Sequence, residues 1–264
     1  MMPVEEALMR ILENVSILND EKKPILECLG QVLADDVSSS VTIPPLDNSA
    51  MDGYAVQYDS ICDARESNPA ILKVIGEVAA GYVFDGRVGP GTAVRIMTGA
   101  PIPAGADTVV QFEHTDEEQR KGAGGNSDHI GILRETVRGK NVRNAGEDVQ
   151  AGQVVLPKGM VLRPQEIGVL ASLGYSEVAV VRRPQIAILA TGDELVELGN
   201  PLTPGKIYNS NTYSIAAQVL KYGGIPVVLG IGEDNREALS EKIAQAMDSD
   251  MLLTSGGVSM GDYD

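Results

Sequence analysis

The spacing of apolar and polar residues changes several times along the 264-residue chain. From Val4 to Val15, apolar residues recur every three or four positions, which predicts an amphipathic helix. A second short helix is predicted from Pro24 to Leu33, with the proline in its first turn. Between Val37 and Leu46 the residues favour strand or turn, and Pro44 and Pro45 force an extended backbone. The N-terminal segment therefore mixes helical and extended structure.

The central part of the chain, from residue 50 to about residue 142, has a β-rich pattern. Short apolar runs predict strands at 74–78, 93–96 and 108–110, and turns containing glycine and proline separate them. The glycine-rich segment 122–127 is predicted to be an exposed hairpin tip or loop. Because these glycines lack the strand and helix that flank a phosphate-binding loop, we interpret them as structural.

The last third of the chain alternates strongly between strand and helix patterns. A helix is predicted from Arg163 to Gly174. Further on, strands are predicted at 186–190, 226–231 and 250–254, and helices at 213–222 and 236–247. This alternation is typical of a doubly wound parallel sheet. Since the third strand lacks its covering crossover helix, we expect the chain to be a fragment of a longer protein, with an apolar sheet edge exposed.

The composition of the chain excludes several classes of protein. The formal net charge of −16 argues against non-specific binding to nucleic acid or to an anionic membrane. Cys28 and Cys62 are the only cysteines, too few for a disulfide framework or a zinc cluster. The sequence contains no apolar run of membrane-spanning length. We therefore expect a cytoplasmic protein that binds neither membranes nor nucleic acid.

Two polar, glycine-containing segments follow predicted parallel strands. Thr191–Glu194 follows the first strand, and Ser255–Gly261 follows the third. Ligands of open α/β sheets bind at the carboxyl ends of the strands, and glycines let the backbone approach a phosphate closely. A helix N-terminus near Ser210 and Asn211 adds backbone N–H donors. The pattern predicts one crevice for a phosphorylated ligand.

Four motifs in the chain carry a resemblance to a known family. They are Pro45–Val56, Arg95–Asp107, Thr191–Leu195 and Ser255–Gly261. Together they closely resemble the molybdopterin molybdenumtransferases, enzymes that insert molybdate into molybdopterin, and gephyrin's C-terminal domain belongs to the same group. The resemblance extends from the N-terminal helix to Asp264.

The resemblance implies a multi-domain α/β plus β fold. A discontinuous linking domain is expected at 1–45 and 143–180, and a β-rich inserted domain at 46–142. A partial doubly wound molybdopterin-binding α/β domain is expected at 181–264. Family lysines and a C-terminal β-barrel are expected beyond Asp264.

The resemblance also implies the site residues. Catalytic roles fall on Asp52, Thr98, Glu194, Asp234 and Asp264, of which Glu194 and Asp264 are expected to bind Mg²⁺. Molybdopterin-binding roles fall on Thr191, Gly192, Asp193, Ser210, Asn211, Ser255, Gly256, Gly257 and Ser259. The implied substrates are adenylylated molybdopterin and molybdate, with AMP as a product.

Each of these assignments has a structural alternative. Asp52 belongs to a common turn dipeptide, and Thr98 can simply end a strand. Glu194 can be an acidic residue that favours a helix start, and Asp234 can cap the following helix. Ser210 and Asn211 can likewise be N-cap residues only.

The resemblance further implies a homodimer in which Asp52 and Thr98 reach the active site of the partner subunit. A molybdopterin adenylyltransferase is the expected upstream partner. Two other functions compete with the enzyme. One is a binding or scaffold module such as gephyrin, and the other is a competence/damage-inducible relative that shares the Thr191–Glu194 motif but lacks the first two motifs.

Overall fold

The computed structural model describes residues 2–122, 128–232 and 236–256. Its helices are α1 (Val4–Leu12), α2 (Glu117–Gly122), α3 (Pro164–Ser172), α4 (Ser210–Lys221) and α5 (Arg236–Ala246). Its strands are β1 (Asp20–Pro24), β2 (Val37–Ser38), β3 (Asn48–Ser49), β4 (Gly53–Val56), β5 (Ala70–Val78), β6 (Thr92–Ile96), β7 (Thr108–Gln111), β8 (His129–Ile132), β9 (Val142–Arg143), β10 (Val154–Leu156), β11 (Glu177–Val181), β12 (Gln185–Thr191), β13 (Leu195–Val196), β14 (Ile207–Tyr208), β15 (Ile225–Gly232) and β16 (Met251–Ser255).

The chain divides into two compact units. One comprises Met1–Val37 and Leu156–Asp264, and the other is the continuous segment Ser38–Val155. The domain boundaries expected from the resemblance stay predictions.

The unit Ser38–Val155 is built around a five-stranded sheet with the order β7-β4-β6-β5-β8. The pairs of β4 with β6 and β7 are antiparallel, whereas β5 and β6 are parallel. Side chains alternate across β4, so Tyr54 and Val56 enter one apolar cluster and Ala55 enters another. The sheet is therefore covered on both faces, which explains why all four residues of β4 are buried.

The N-terminal segment differs from its prediction in two places. Helix α1 ends at Leu12 instead of reaching Val15, and none of its residues is buried. The helix predicted from Pro24 to Leu33 is wrong. Pro24 instead ends strand β1, which pairs antiparallel with β11, and only a single 3-10 turn follows at Ile25–Cys28. Pairing with β11 outweighs the weak local helix preference of this short segment.

The predicted helix from Arg163 to Gly174 lies in the unit formed by Met1–Val37 and Leu156–Asp264, and it is confirmed. α3 runs from Pro164 to Ser172 with the proline in its first turn. The side chain of Glu166 accepts a hydrogen bond from the backbone N–H of Arg163 at 2.9 Å, which satisfies a donor at the helix start.

The same unit contains the predicted parallel sheet, with the strand order β15-β12-β16. β12 is the central strand, and its residues 186–190 are all buried, as expected for a strand covered on both faces. Ile186 and Ile188 pack against Ala216 of α4. Leu189, on the opposite face, lies with Leu239 of α5 beside Gly232. The two helices cover opposite faces, so the predicted doubly wound α/β fold is confirmed.

The outer strands of this sheet carry exposed apolar side chains, which include Ile225, Val228 and Met251. Among the described residues, we find no helix both long enough and apolar enough to cross a membrane.

Candidate functional site

Two neighbouring parallel strands end at the same edge of the sheet. β12 ends at Thr191 and β16 ends at Ser255, and Ala190 lies opposite Ser255 in the register of the pair. In sequence order these are the first and third strands, and β15 is the second, which gives a 2-1-3 order. In that order, chain connections leave the sheet on opposite sides of the first and third strands and open a ligand crevice between them. We name Thr191–Glu194, Ser210–Asn211 and Ser255–Gly256 the strand-end site.

Two glycines allow the backbone to turn sharply at this edge. Gly192 has φ +143° and Gly256 has φ +110°, and side-chain-bearing residues rarely adopt either angle. A Cβ atom on Gly256 would lie 2.4 Å from the carbonyl oxygen of Thr191. A Cβ atom on Gly192 would lie 2.5 Å from Oε2 of Glu194. Gly256 therefore requires glycine both for conformation and for space, because the atom it approaches belongs to the backbone. Gly192 requires glycine for conformation, since the flexible side chain of Glu194 can move away.

Helix α4 begins beside the end of β16. The amide nitrogen Nδ2 of Asn211 donates a hydrogen bond to Oγ of Ser255 at 3.4 Å, which places the helix start at the strand-end site. The first-turn N–H groups of a helix have no partner within the helix, and the helix dipole makes this end positive. This end of the site therefore favours an anion.

The helix N-terminus predicted near Ser210 and Asn211 is confirmed. α4 begins at Ser210, three residues before the helical pattern at 213–222. The N-cap is Asn209, whose side chain accepts a hydrogen bond from the backbone N–H of Thr212 at 3.4 Å. The alternative interpretation of Ser210 and Asn211 as the cap is therefore wrong. Both residues are exposed in the first turn, whereas Asn209 is buried.

Two exposed acidic side chains lie at the same edge. Asp193 and Glu194 follow Gly192, and their main-chain carbonyl groups are bound by Nζ of Lys206 and by the backbone N–H of Ile207. In residues 2–122, 128–232 and 236–256, neither carboxylate takes part in a hydrogen bond or an ion pair. Over the same ranges, no group of three or more His, Cys, Asp or Glu residues is placed to hold a metal.

The remaining predicted site residues lie outside the described residues. They are Asp234, Gly257, Ser259 and Asp264. Their roles stay predictions, and so does the alternative that Asp234 caps a helix.

The unit Ser38–Val155, which we call the β-rich unit, brings Asp52 and Thr98 together, although they are far apart in sequence. Oδ1 of Asp52 accepts hydrogen bonds from the backbone N–H of Thr98 at 2.7 Å and from its hydroxyl at 2.9 Å. Two main-chain bonds join the same loops, from Gly99 N–H to the carbonyl of Ser49 at 2.8 Å and from Ser49 N–H to the carbonyl of Ala100 at 2.9 Å. We name residues 49–52 and 97–100 the clasp.

These hydrogen bonds keep the clasp anionic. The N–H and then the hydroxyl of Thr98 lower the pKa of the Asp52 carboxyl, and the positive charge of Arg95 adds to this effect. Arg95 is itself fixed by Glu77 at 3.0 Å and Glu117 at 3.3 Å, and it stacks on Phe112 with 4.5 Å to the ring centroid. Asp52 is therefore a carboxylate at neutral pH, unsuited to act as a general acid.

Sequence reasoning missed two residues that organise these regions. Asn209 caps α4, and Asn141 adopts a left-handed backbone conformation with φ +58° beside the clasp. A signal was present in both cases, because asparagine is a preferred N-cap and the residue most tolerant of left-handed conformations after glycine. The pattern does not indicate which of the chain's asparagines takes these roles.

The parallel sheet with its glycine-lined edge places the chain among α/β proteins with a strand-end ligand site. The family model "MoeA N-terminal region (domain I and II)" matches residues 2–174. A second model, "Probable molybdopterin binding domain", matches residues 187–264. The chain therefore belongs to the MoeA family of molybdopterin molybdenumtransferases.

Individual relatives agree with this assignment. The chain is 43% identical to a molybdopterin molybdenumtransferase of Nostoc sp. over 89% of its own length and 52% of the relative. It is 38% identical to the enzyme of that name in Bacillus subtilis, over 99% of its own length and 60% of the relative. The chain thus spans between half and two thirds of the length of these curated relatives.

A solved structure agrees with the fold. The molybdopterin biosynthesis MoeA protein from Pyrococcus horikoshii OT3 is similar to this chain with a TM-score of 0.88 and 36% sequence identity. The similarity covers 98% of this chain and 67% of that protein.

Proposed function

We propose that this protein acts in molybdenum cofactor biosynthesis as a molybdopterin molybdenumtransferase. It would insert molybdate into adenylylated molybdopterin and release AMP. The observation that carries this proposal is the convergence of the ends of β12 and β16 with the start of α4. The family membership supports the same activity.

The strand-end site has the donors that such anionic ligands need. The hydroxyls of Thr191 and Ser255 and the backbone N–H groups of Ser210 and Asn211 can donate hydrogen bonds to phosphate oxygens. Gly256 lets the backbone approach the ligand without a side chain in the way. These groups bind an anion without a cluster of basic residues, which suits a chain with a net charge of −16.

The acidic residues of the site fit a magnesium ion. Mg²⁺ is typically held by one or two carboxylates together with substrate phosphates and waters. The uncommitted carboxylate of Glu194 matches this donor set, and Asp193 lies next to it. A Mg²⁺ ion held there would supply positive charge against the phosphoanhydride and the AMP leaving group. We further propose Asp264 as a second ligand and Asp234 as an additional acidic group.

For the clasp we propose a role across a homodimer, in which Asp52 and Thr98 serve the strand-end site of the partner subunit. A homodimer is supported by α1, whose apolar residues Val4, Leu8 and Ile11 are exposed. Because α1 has acidic residues in its first turn and Arg10 in its last, an antiparallel pair of these helices brings opposite charges together. An exposed helix of nine residues is only marginally stable alone, so burial against a second copy would stabilise it.

The substrate also implies an upstream partner. Adenylylated molybdopterin must be supplied by an enzyme that transfers an adenylyl group to molybdopterin, so we propose a molybdopterin adenylyltransferase as that partner. A cytoplasmic location stays a prediction.

Isothermal titration with adenylylated molybdopterin, with and without Mg²⁺, tests the proposal when it is followed by molybdate and an assay for AMP. We expect Mg²⁺-dependent binding and molybdate-dependent release of AMP. Glu194→Gln is the matched variant, since it removes the charge and keeps the shape, and it should lose the dependence on Mg²⁺. Binding without AMP release would favour the non-catalytic binding or scaffold module. An absence of binding would reject the proposed ligand.

The dimer has its own test. Leu8→Glu in α1 should convert the dimer to a monomer in size-exclusion chromatography with light scattering, because a charge would be buried at the helix pair. Leu220→Glu is the control, since Leu220 is also an exposed leucine of a helix but lies away from both α1 and the clasp in sequence. A monomeric wild-type chain, or a dimer that survives Leu8→Glu, would contradict this role of α1.

A further inference from the structure

A short segment, residues 139–143, holds the clasp from one side. Its central residue is Asn141, the only non-glycine residue with a positive φ in the described part of the chain. Nδ2 of Asn141 donates a hydrogen bond to the carbonyl of Val109 in β7 at 2.9 Å. The carbonyl of Asn141 accepts a hydrogen bond from the backbone N–H of Ala50 at 2.9 Å. Asn141 thus connects the central sheet to the loop that carries Asp52.

The same segment also pairs with the loop through its strand β9, in which Val142 lies opposite Ser49 and Arg143 opposite Asn48. The hydroxyl of Ser49 donates to the carbonyl of Met51 at 2.5 Å and accepts from its N–H at 3.3 Å, which closes a tight local turn. Main-chain bonds between Ser49 and the 97–100 segment hold one side of this turn. The bond from Ala50 to Asn141 holds the other side. Asp52 follows within two residues, and its own carbonyl accepts a hydrogen bond from the backbone N–H of Phe112 at 3.3 Å. The bond from Ala50 to Asn141 is therefore one of several contacts that set the position of Asp52.

The left-handed conformation of Asn141 makes the double connection possible. In this conformation the side chain of Asn141 reaches Val109 while its carbonyl reaches Ala50. Most residues with a Cβ atom avoid this conformation, whereas asparagine tolerates it because its short amide bonds to nearby backbone groups. A strained residue next to a predicted site is a reason to look for a positioning role.

We propose that Asn141 is a positioning residue for the Asp52–Thr98 pair. Its amide is anchored on Val109, its left-handed backbone directs its carbonyl at Ala50, and the loop is thereby held so that Oδ1 of Asp52 meets both donors of Thr98. The hydrogen bonds of the clasp are observed in this chain and do not depend on the proposed function. That the clasp serves molybdate insertion rests on the proposed function above.

Three variants of the full chain test the proposal. Asn141→Ala removes the amide and disfavours the left-handed backbone, whereas Asn141→Gly removes only the amide. Leu72→Ala is the control, because Leu72 is buried in β5 within the core of the same unit and its loss destabilises the unit without touching the clasp. The two readouts are the exchange rates of the Thr98 and Gly99 amide hydrogens and the pKa of the Asp52 carboxyl by NMR, with Asp52→Asn to assign its signal.

In Asn141→Ala, we expect the Thr98 and Gly99 amides to exchange roughly tenfold faster. The pKa of Asp52 should rise towards the ordinary value of 3.8 as its hydrogen bonds to Thr98 loosen. Asn141→Gly should show smaller changes in the same direction, which amounts to partial rescue. Leu72→Ala should lower the melting temperature and leave both readouts at the clasp unchanged.

A folded Asn141→Ala chain with wild-type exchange rates and a wild-type Asp52 pKa would overturn the proposal. If the alanine variant does not fold, Asn141→Gly decides alone, since wild-type exchange at Thr98 in that variant also overturns it. Neither readout uses a ligand. A chain that fails the titration with adenylylated molybdopterin but shows these effects refutes the proposed function alone, and the reverse result refutes the positioning role alone.

Discussion

The clasp and the strand-end site use polar residues in opposite ways. In the clasp, Oδ1 of Asp52 is occupied by two hydrogen bonds from Thr98, and the flanking backbone is bonded on both sides. In the strand-end site, within the described ranges, the carboxylates of Asp193 and Glu194 have no partner, and one long hydrogen bond at 3.4 Å joins Asn211 to Ser255. The first region is organised by its own side chains, and the second by backbone and glycine.

This difference has an energetic consequence. Hydrogen bonds to a charged group stabilise the folded chain, so the clasp contributes to folding while it fixes its geometry. Uncommitted donors and carboxylates contribute little to folding, but their full hydrogen-bonding capacity is available to a ligand or a metal ion. The strand-end site therefore depends on the shape of the backbone, and its polar side chains can change without loss of the fold.

The largest expected effect comes from disturbing that backbone. Gly256→Ala should lower the free energy of unfolding of the unit that contains the parallel sheet by about 3 kcal/mol. The variant combines a positive φ with a Cβ atom 2.4 Å from the carbonyl oxygen of Thr191. Urea unfolding followed by circular dichroism measures this loss.

Gly205→Ala is the matched control for this prediction. Gly205 also has a positive φ, +81°, but a Cβ atom there would meet nothing within 4 Å. It should therefore cost only about 1 kcal/mol, from the backbone alone. Equal losses in the two variants would show that the close approach of Gly256 to Thr191 has no part in building the site.

Substitution of a side chain in the clasp should have an intermediate effect on stability. Asp52→Ala should destabilise the β-rich unit by about 1 kcal/mol, since Asp52 is exposed and its hydrogen bonds are partly replaced by water. Asp52→Asn keeps the oxygen acceptor and should recover part of the loss. If the alanine variant is as stable as wild type by thermal unfolding, the clasp is not held by this carboxylate.

The same pair should show a pH dependence of defined sign. The pKa of Asp52 is lower in the folded chain than its ordinary value of 3.8, so its stabilisation is complete above that value. It is lost as the pH falls through the lower, folded value. The stability difference between wild type and Asp52→Asn should therefore shrink as the pH is lowered below about 4. A difference that is constant from pH 6 to pH 3 would contradict the carboxylate's role.

The sequence predicted the strand-end site better than the clasp, for a physical reason. β12, β15 and β16 are continuous apolar runs, which is typical of parallel strands, although only the central strand β12 is buried along 186–190. These runs are visible in the sequence, and the adjacency of the strand ends follows from the fold class. The hydrogen bonds between Asp52 and Thr98 join residues 46 positions apart, and no local pattern specifies such a contact. The resemblance named both residues, but it gave no geometry.

The errors along the chain have a common cause. Local propensity predicted a helix from Pro24 to Leu33, where pairing with β11 imposes a strand and a single turn. The central strand β4 was not predicted, because two of its four residues, Gly53 and Ala55, are poor strand formers. In both places long-range sheet pairing decided the outcome, and such pairing is not encoded in a short window.

The smallest expected effect on stability is also the sharpest test of the contrast between the two regions. Glu194→Gln should change the free energy of unfolding by less than about 0.5 kcal/mol, because the carboxylate has no protein partner among the described residues to lose. The same variant should lose Mg²⁺-dependent binding of adenylylated molybdopterin. Thermal unfolding and calorimetric titration of one preparation measure both quantities.

The expected effects at Glu194 and at Asp52 differ, and this difference tests the contrast between the two regions. If the polar groups of the strand-end site serve ligands only, Glu194→Gln should weaken ligand binding and leave the stability unchanged. Asp52→Ala should lower both the stability and the binding. A Glu194→Gln chain that unfolds at distinctly lower temperature would show that this carboxylate has a structural partner after all. A chain with wild-type stability and wild-type Mg²⁺ dependence would remove Glu194 from the metal site, and it would leave the glycine-lined backbone and the start of α4 as the elements that bind the phosphorylated ligand.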